Sequence, residues 1–257
     1  MMMTVNLIAP QGWRDMSQEQ LADMLKVMVY VNAITTGRES GSHIASMATL
    51  LCLLRWNGIG IVSPHGDGWI LQRKGDEPFF ATSEELAAAS SLIGWIAETP
   101  TAPVRLDKIG DAVAVSPDLD DGTSFDTWLT CEVLWQQYQM SQDPRLLRSM
   151  SERLYNCEDI KAEQWELLGV WYWWAGVKAL CNALYPNFFK QSHTEQMEQA
   201  SDSETLRHNM DSQIRALTKG DITKENAVLA MPCHRALTEL DALAREYDEL
   251  NRKYPNK

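Results

Sequence analysis

Residues Trp165 to Phe189 read W-E-L-L-G-V-W-Y-W-W-A-G-V-K-A-L-C-N-A-L-Y-P-N-F-F, and the way they are buried largely determines the fold of this chain. It holds four of the ten tryptophans, and Lys178 is the only charged residue between Leu167 and Leu184. So large an apolar surface has to be removed from water. The protein's own core, a lipid bilayer or another subunit could each cover it, and the choice among these three determines the class of protein.

The polar residues of this stretch favour the protein core. Its apolar part of eighteen residues barely reaches the length of a membrane-spanning helix, about 17–25 residues. Lys178 and Asn182 would lie inside the bilayer, and no Lys/Arg cluster flanks the stretch to orient it. A fully buried central helix has the same all-round apolar character. We therefore predict a core helix from near Asp159 to before Pro186, with a membrane anchor over 167–184 and an oligomer interface as alternatives.

The composition and charge of the chain indicate which classes of partner it is able to bind. Its 257 residues are 45% hydrophobic and 23% charged, as is typical of a folded globular protein. The net charge of −12 disfavours binding to nucleic acid or to an anionic membrane surface. The segment from Asp76 to Glu132 holds twelve acidic residues against Arg105 and Lys108. We interpret it mainly as a solvated surface that aids solubility.

The cysteines indicate a reducing environment. The five are widely separated, form no C-x-x-C pair, and are odd in number, which does not suit a full set of disulfides. Cys52, Cys131 and Cys181 lie in apolar helical patterns, where a free thiol behaves as a small hydrophobic group. The N-terminal residues M-M-M-T-V-N-L-I-A-P lack the features of a signal peptide. We expect free thiols and a cytoplasmic location.

The pattern of apolar residues predicts a mainly α protein. Capping signals and apolar spacings of three and four residues indicate most of the helices. Their predicted starts are Ser17, Ser42, Thr82, Phe125 and Asp143. In the second helix we expect one buried face, formed by Ile44, Met47, Leu51 and Leu54. Two short β-like runs, 59–62 and 69–72, flank a Pro-His-Gly-Asp-Gly turn and predict a small hairpin.

We predict three parts along the chain. Residues 1–190 form a mainly helical domain that includes the hairpin near 59–72 and an acidic loop over 99–123. Residues 191–203 are rich in polar side chains and form a linker. Residues 204–257 form a C-terminal helical module.

The last predicted helix, which starts after Pro232, carries an apolar seam with charged flanks. Its members repeat at spacings of three and four residues: Leu237, Leu240, Ala244 and Tyr247, with Leu243 and Leu250 alongside. Such a seam is able to pair with another helix. Because it extends over only two to three heptads, we expect a helical hairpin within the chain rather than a long coiled coil.

The sequence contains no catalytic, cofactor or metal motif. His65 and Asp67 lie in the predicted hairpin turn and carry the alternative of a hydrolase, although a turn-stabilising pair is the simpler interpretation. The acidic cluster Asp118 to Asp121 is no EF-hand, because the twelfth position from Asp118 is Leu129, where a bidentate glutamate is required. We therefore predict no enzyme activity and no cofactor or metal, and expect function to reside in protein contacts.

Four segments resemble uncharacterised proteins that prophages of gut Bacteroidetes encode. They are F-D-T-W-L-T-C-E-V-L-W-Q-Q-Y from Phe125, L-Y-P-N-F-F from Leu184, R-A-L-T-K-G-D-I-T-K-E-N-A-V-L-A from Arg215 and R-A-L-T-E-L-D-A-L-A-R-E-Y-D-E-L from Arg235. The likeness covers roughly residues 124–250. It implies a non-enzymatic phage assembly protein, a tail-assembly chaperone or a connector-like component. Its partners would be phage structural proteins or itself, in the host cytoplasm or in the virion.

The residues expected at such a contact are aromatic and apolar side chains from two helices. One helix carries three closely spaced tryptophans that cannot all face one direction: Trp171, Trp173 and Trp174. Any of them that lies at the surface is a candidate contact residue. Tryptophan and tyrosine are enriched at interface centres. The last helix supplies the other three members of the predicted set: Leu237, Leu240 and Tyr247.

Overall fold

The structure, a computed structural model, describes residues 7–35, 41–190 and 203–254. Over this part the chain is mainly helical with two small antiparallel sheets, which confirms the predicted fold class. The elements are α1 Gln18–Thr35, α2 Gly41–Trp56, β1 Ile59–His65, β2 Gly68–Arg73, β3 Phe79–Thr82, α3 Ser83–Ser90, β4 Lys108–Ile109, β5 Ala112–Val113, α4 Phe125–Ser141, α5 Pro144–Leu154, α6 Gln164–Leu184, α7 Ser203–Thr218, α8 Glu225–Leu229 and α9 Cys233–Lys253. Residues 191–202 of the predicted linker lie outside the described residues.

The chain forms two compact units. The first comprises Met1–Thr99 with Gln164–Gly169, and the second comprises Pro100–Glu163 with Val170–Lys257. Helix α6 therefore contributes its first residues to one unit and the rest to the other. The predicted division at 191–203 is not among these boundaries, since the C-terminal helices pack against α4 within the second unit.

The starts of the helices follow the predicted capping signals. The backbone N–H of Gln20 donates to Ser17 Oγ at 3.2 Å, and the backbone N–H of Ser17 donates to Gln20 Oε1 at 2.9 Å. Thr82 and Glu85 form a complete capping box at the start of α3. Asp143 caps α5, whose first residue is a proline. These helix starts were specified by local sequence and are confirmed.

The first unit packs α2 and α3 against a three-stranded sheet in the order β1-β2-β3. The predicted hairpin is confirmed as β1 and β2, whereas β3 was not predicted. The core beneath the sheet consists of Leu50, Leu54, Ile59, Leu71, Ala81 and Leu86. The predicted buried face of α2 is wrong at Leu51, which is 46% exposed, because the helix turns Leu50 inward instead. The side chain of Ile44 lies outside the described part.

In the second unit, backbone hydrogen bonds connect the first residues of α4 to the first residues of α9. Ser124 and Pro232 form an isolated antiparallel bridge. The backbone N–H of Phe125 donates to Met231 O at 2.7 Å, and that of Cys233 donates to Thr123 O at 2.8 Å. These bonds fix the start of the C-terminal helix on the core of the unit.

Helix α6, the Trp-rich helix, begins later than predicted. Asn156 and Asp159 have φ angles of 47° and 53°, in the left-handed region, which a continuous right-handed helix does not allow. The helix therefore starts at Gln164 and ends at Leu184, before Pro186 as predicted. Within the described residues, none of the helices combines the length and the apolarity that crossing a bilayer requires.

Candidate protein-binding surface

Two of the three predicted tryptophans are enclosed by the second unit. Trp173 and Trp174 are fully buried. The indole N–H of Trp173 donates to Pro117 O at 2.8 Å, and that of Trp174 donates to Glu132 Oε2 at 3.2 Å. Because their rings and their N–H groups are both engaged inside the unit, these two residues leave the predicted contact set.

Trp171 is the member of the trio that reaches the surface. It is half-buried, and its ring stacks on Trp135 with 6.4 Å between centroids. The neighbouring ring of Tyr172 meets it edge-on at 4.9 Å. Trp171 thus stays a predicted contact residue, although much of its ring is already covered by its neighbours.

Lys178, the single charge between Leu167 and Leu184, is paired inside the second unit. Lys178 Nζ donates to Glu132 Oε1, and Gln136 Nε2 donates to the same oxygen at 2.5 Å. Lys178 Nζ also lies 4.9 Å from the ring centroid of Trp135, within reach of a cation–π interaction. The lysine therefore holds α6 to α4.

Glu132 is ionised in this arrangement. Its burial alone favours the neutral form and would raise its pKa. The charge of Lys178 and the hydrogen bonds from Lys178, Gln136 and Trp174 outweigh the burial, so the pKa of Glu132 lies below its usual value. A carboxylate whose two oxygens both accept hydrogen bonds serves to connect the helices.

The buried cysteines have the properties of core residues. Burial raises the pKa of Cys181 and of Cys233 to about 12, and it also raises the pKa of Cys131. A protonated thiol is a poor nucleophile and a poor metal ligand. In the described part of the chain, no group of three or more His, Cys, Asp or Glu residues is placed to hold a metal ion.

His65 and Asp67, the pair behind the hydrolase alternative, lie at the exposed end of the β1–β2 hairpin. The ring of His65 meets Phe80 edge-on at 5.8 Å. The backbone oxygen of Asp67 accepts hydrogen bonds from Ser83 N at 3.1 Å and Ser83 Oγ at 2.6 Å. Both residues are exposed, whereas catalytic sites are typically concave.

The acidic cluster at Asp118 to Asp121 is engaged in its own loop. Asp121 accepts hydrogen bonds from Ser116 N at 2.7 Å and from Thr123 Oγ1 at 2.6 Å. Asp120 accepts one from Ser116 Oγ. These carboxylates stabilise the turn that leads into α4.

The C-terminal helix α9 is covered along its first half and uncovered along its second. Its buried residues are Cys233, Ala236, Leu237, Leu240 and Ala244. Leu237 and Leu240 of the predicted contact set therefore belong to the core. The apolar face then continues into solvent with Leu243, Tyr247, Leu250 and Tyr254, which are 36%, 61%, 56% and 64% exposed. We call these four residues the C-terminal stripe.

Leu243, Tyr247 and Leu250 are spaced four and three residues apart, which places them on one side of the helix. Tyr254, four residues further on, caps the C-terminal end of the helix, and its backbone N–H donates to Leu250 O at 2.9 Å. Glu246 and Lys253 border the same flank of the stripe, seven residues apart. No ion pair among the described residues involves either of them. Leu243 also lines a groove beside the helix, together with Leu217 and Met231.

The spacing of apolar residues predicted Tyr247 as a contact residue but did not predict the whole stripe. It placed Leu243 and Leu250 beside the seam and did not extend it to Tyr254. The signal was the alternation of three and four residues, which continues past Leu250. The sequence does not show where along α9 the rest of the second unit stops covering the helix.

Known proteins give no direct guide to this surface. Comparison of the sequence with models of protein families and with curated proteins, and of the fold with solved structures, finds no match. Function therefore has to be inferred from the surface residues and from the sequence resemblance.

Proposed function

We propose that this chain is a non-enzymatic protein of phage particle assembly, acting in the tail pathway as a chaperone or connector-like component, and that the C-terminal stripe is its contact surface. The observation that carries this proposal is the stripe itself. Scattered exposed apolar residues are ordinary, whereas an ordered line of them marks an interaction site. Two of the four are tyrosines, a residue type enriched in interfaces.

The way α9 is held supports a contact role. Its first half is fixed in the core of the second unit, so the second half is presented in a set orientation. A helix that is already folded loses little conformational entropy on binding. Anchors spaced four and three residues apart are those that an amphipathic helix inserts into an apolar groove or pairs with another helix.

The assembly context comes from the resemblance of residues 124–250 to prophage-encoded proteins. The net charge of −12 suits an assembly factor, since it limits non-specific association while one apolar surface binds a partner. Such a protein acts in the host cytoplasm, or stays in the finished particle.

Deletion of the gene from a prophage-carrying strain tests this proposal. We expect induced cells to release particles with absent or misassembled tails in electron micrographs, and far fewer infective particles. Complementation with the wild-type gene should restore both, whereas Tyr247→Asp should not. The matched control is Arg252→Ala, an exposed change away from the stripe on the same helix. Normal tails from the deletion strain would contradict the assembly role.

A further inference from the structure

We infer that the C-terminal stripe binds a second copy of this chain, through antiparallel pairing of the two α9 helices. This inference rests on the proposed function, because it names the partner of the same surface. It follows from the order of side chains along residues 243–254.

The apolar residues of the stripe complement themselves in an antiparallel pair. Spacings of three and four residues allow side chains of two helices to interlock. When Tyr247 lies opposite Leu250 of the second copy, two-fold symmetry also places Leu243 opposite Tyr254 of the second copy. Every layer then sets one aromatic ring against one leucine, so that large and smaller side chains alternate across the interface.

The charges beside the stripe favour the same arrangement. In this register Glu246 lies beside Lys253 of the second copy, and the two-fold axis repeats the pair further along the same flank. Neither residue takes part in an ion pair among the described residues, so both are available. A parallel pair would instead set Glu246 beside the uncharged Asn251. Antiparallel helices also align their dipoles favourably.

The dimensions of the stripe predict a reversible dimer. From Leu243 to its last residue, Lys253, the helix rises about 15 Å, which gives an interface smaller than those of stable dimers. The net charge of −12 opposes association, but charges more than about 8 Å apart are largely screened at physiological salt. We expect a dissociation constant in the micromolar range.

Sedimentation equilibrium of the full chain at physiological salt measures this directly. The wild type should show a monomer–dimer equilibrium, and Tyr247→Asp should remove the dimer without changing the thermal unfolding midpoint measured at concentrations where the wild type is monomeric. A wild-type chain that stays monomeric at hundreds of micromolar would overturn the inference, as would a dimer that Tyr247→Asp leaves intact.

Charge reversal tests the antiparallel register. Glu246→Lys alone and Lys253→Glu alone should each weaken the dimer about tenfold, because two attractive pairs become repulsive. An equimolar mixture of these two variants should associate as tightly as the wild type, since opposite charges then meet in both pairs. Glu249→Lys and Arg252→Glu, on other sides of the helix, are the controls and should leave the dimer unchanged. A mixture no tighter than its components would overturn the antiparallel pairing.

The two proposals fail in different ways. A monomeric chain that still needs Tyr247 for tail assembly would refute self-association and leave the proposed function, with another protein as partner. A chain that dimerises through the stripe, while Tyr247→Asp supports normal particles, would refute the proposed function instead.

Discussion

Lys178 shows how one residue changes the interpretation of a whole stretch. In the sequence it is a lone charge in an apolar segment, and in the structure it is paired with Glu132. The net contribution of a buried ion pair is small, but removing one partner leaves an uncompensated charge in the core. The residue is therefore sensitive to substitution because its partner Glu132 is buried.

We predict that Lys178→Met lowers the free energy of unfolding by about 2–3 kcal/mol. This loss is smaller than the loss expected on breaking a fully buried ion pair, because 24% of the lysine side chain is exposed. Urea unfolding measures this change. Adding Glu132→Gln should recover part of the loss, since it removes the stranded charge. Arg235→Met, which breaks an exposed pair with Glu239, is the control and should have little effect. A Lys178→Met protein as stable as the wild type would contradict the pairing.

The lowered pKa of Glu132 predicts a dependence of stability on pH. A carboxyl group whose folded pKa lies below its unfolded pKa, about 4.3, stabilises the fold above that pH. This stabilisation is lost as pH falls through the folded pKa. We expect the free energy of unfolding of the wild type to fall more steeply below about pH 4.3 than that of Glu132→Gln. Parallel curves from urea unfolding between pH 3 and 6, about the range of carboxyl titration, would refute this.

At the scale of elements, α6 owes its position to a glycine as well as to its tryptophans. A Cβ atom on Gly176 would lie 2.7 Å from Ala102 C and 2.8 Å from Pro103 Cα, too close for backbone atoms that cannot swing away. The missing side chain lets the helix and the 102–103 segment touch.

Gly176→Ala should therefore destabilise the protein by about 1–3 kcal/mol, as overpacking of a core does, despite the better helix propensity of alanine. Thermal or urea unfolding measures it. Gly94→Ala is the matched control, because nothing lies within 4 Å of its added Cβ. Equal stability of the two variants would show that the approach of α6 to Ala102 is looser than described.

Helix α9 offers a comparison of two leucines in one element. Leu237 is fully buried and Leu250 is 56% exposed. We expect Leu237→Ala to cost about 2–5 kcal/mol and Leu250→Ala to cost little in a dilute monomer. Urea unfolding of both variants tests where the core ends along the helix, and a similar loss for both would place Leu250 in the core.

Much of the secondary structure was predictable because its signals are local. Thr82 with Glu85, and Asp143 with Pro144, each act within a few residues. The errors arise where distant contacts decide. Nothing near Leu51 in sequence says that Leu50 is the residue turned inward, and the break at Asp159 lies in a backbone conformation without a glycine to mark it.

At the scale of the whole molecule, the two units depend on contacts between residues that lie far apart in the sequence. The polar composition of 191–203 indicated a linker, but it does not show that Phe125 N bonds to Met231 O and joins the C-terminal helices to α4. The candidate site was predictable in part. The spacing of apolar residues in α9 predicted Tyr247 as a contact residue. Which tryptophans are buried depends on their hydrogen bonds to Glu132 and Pro117, which lie far away in the sequence.

Hydrogen exchange of the full chain at low and high protein concentration shows whether the C-terminal stripe is a contact surface. We predict that amide protection over 243–254 rises with concentration, because pairing suppresses fraying of the helix end. Protection over 233–240, already buried in the core, should stay constant. Protection that does not change with concentration over 243–254, or that changes at the β1–β2 hairpin instead, would contradict a contact role for the stripe.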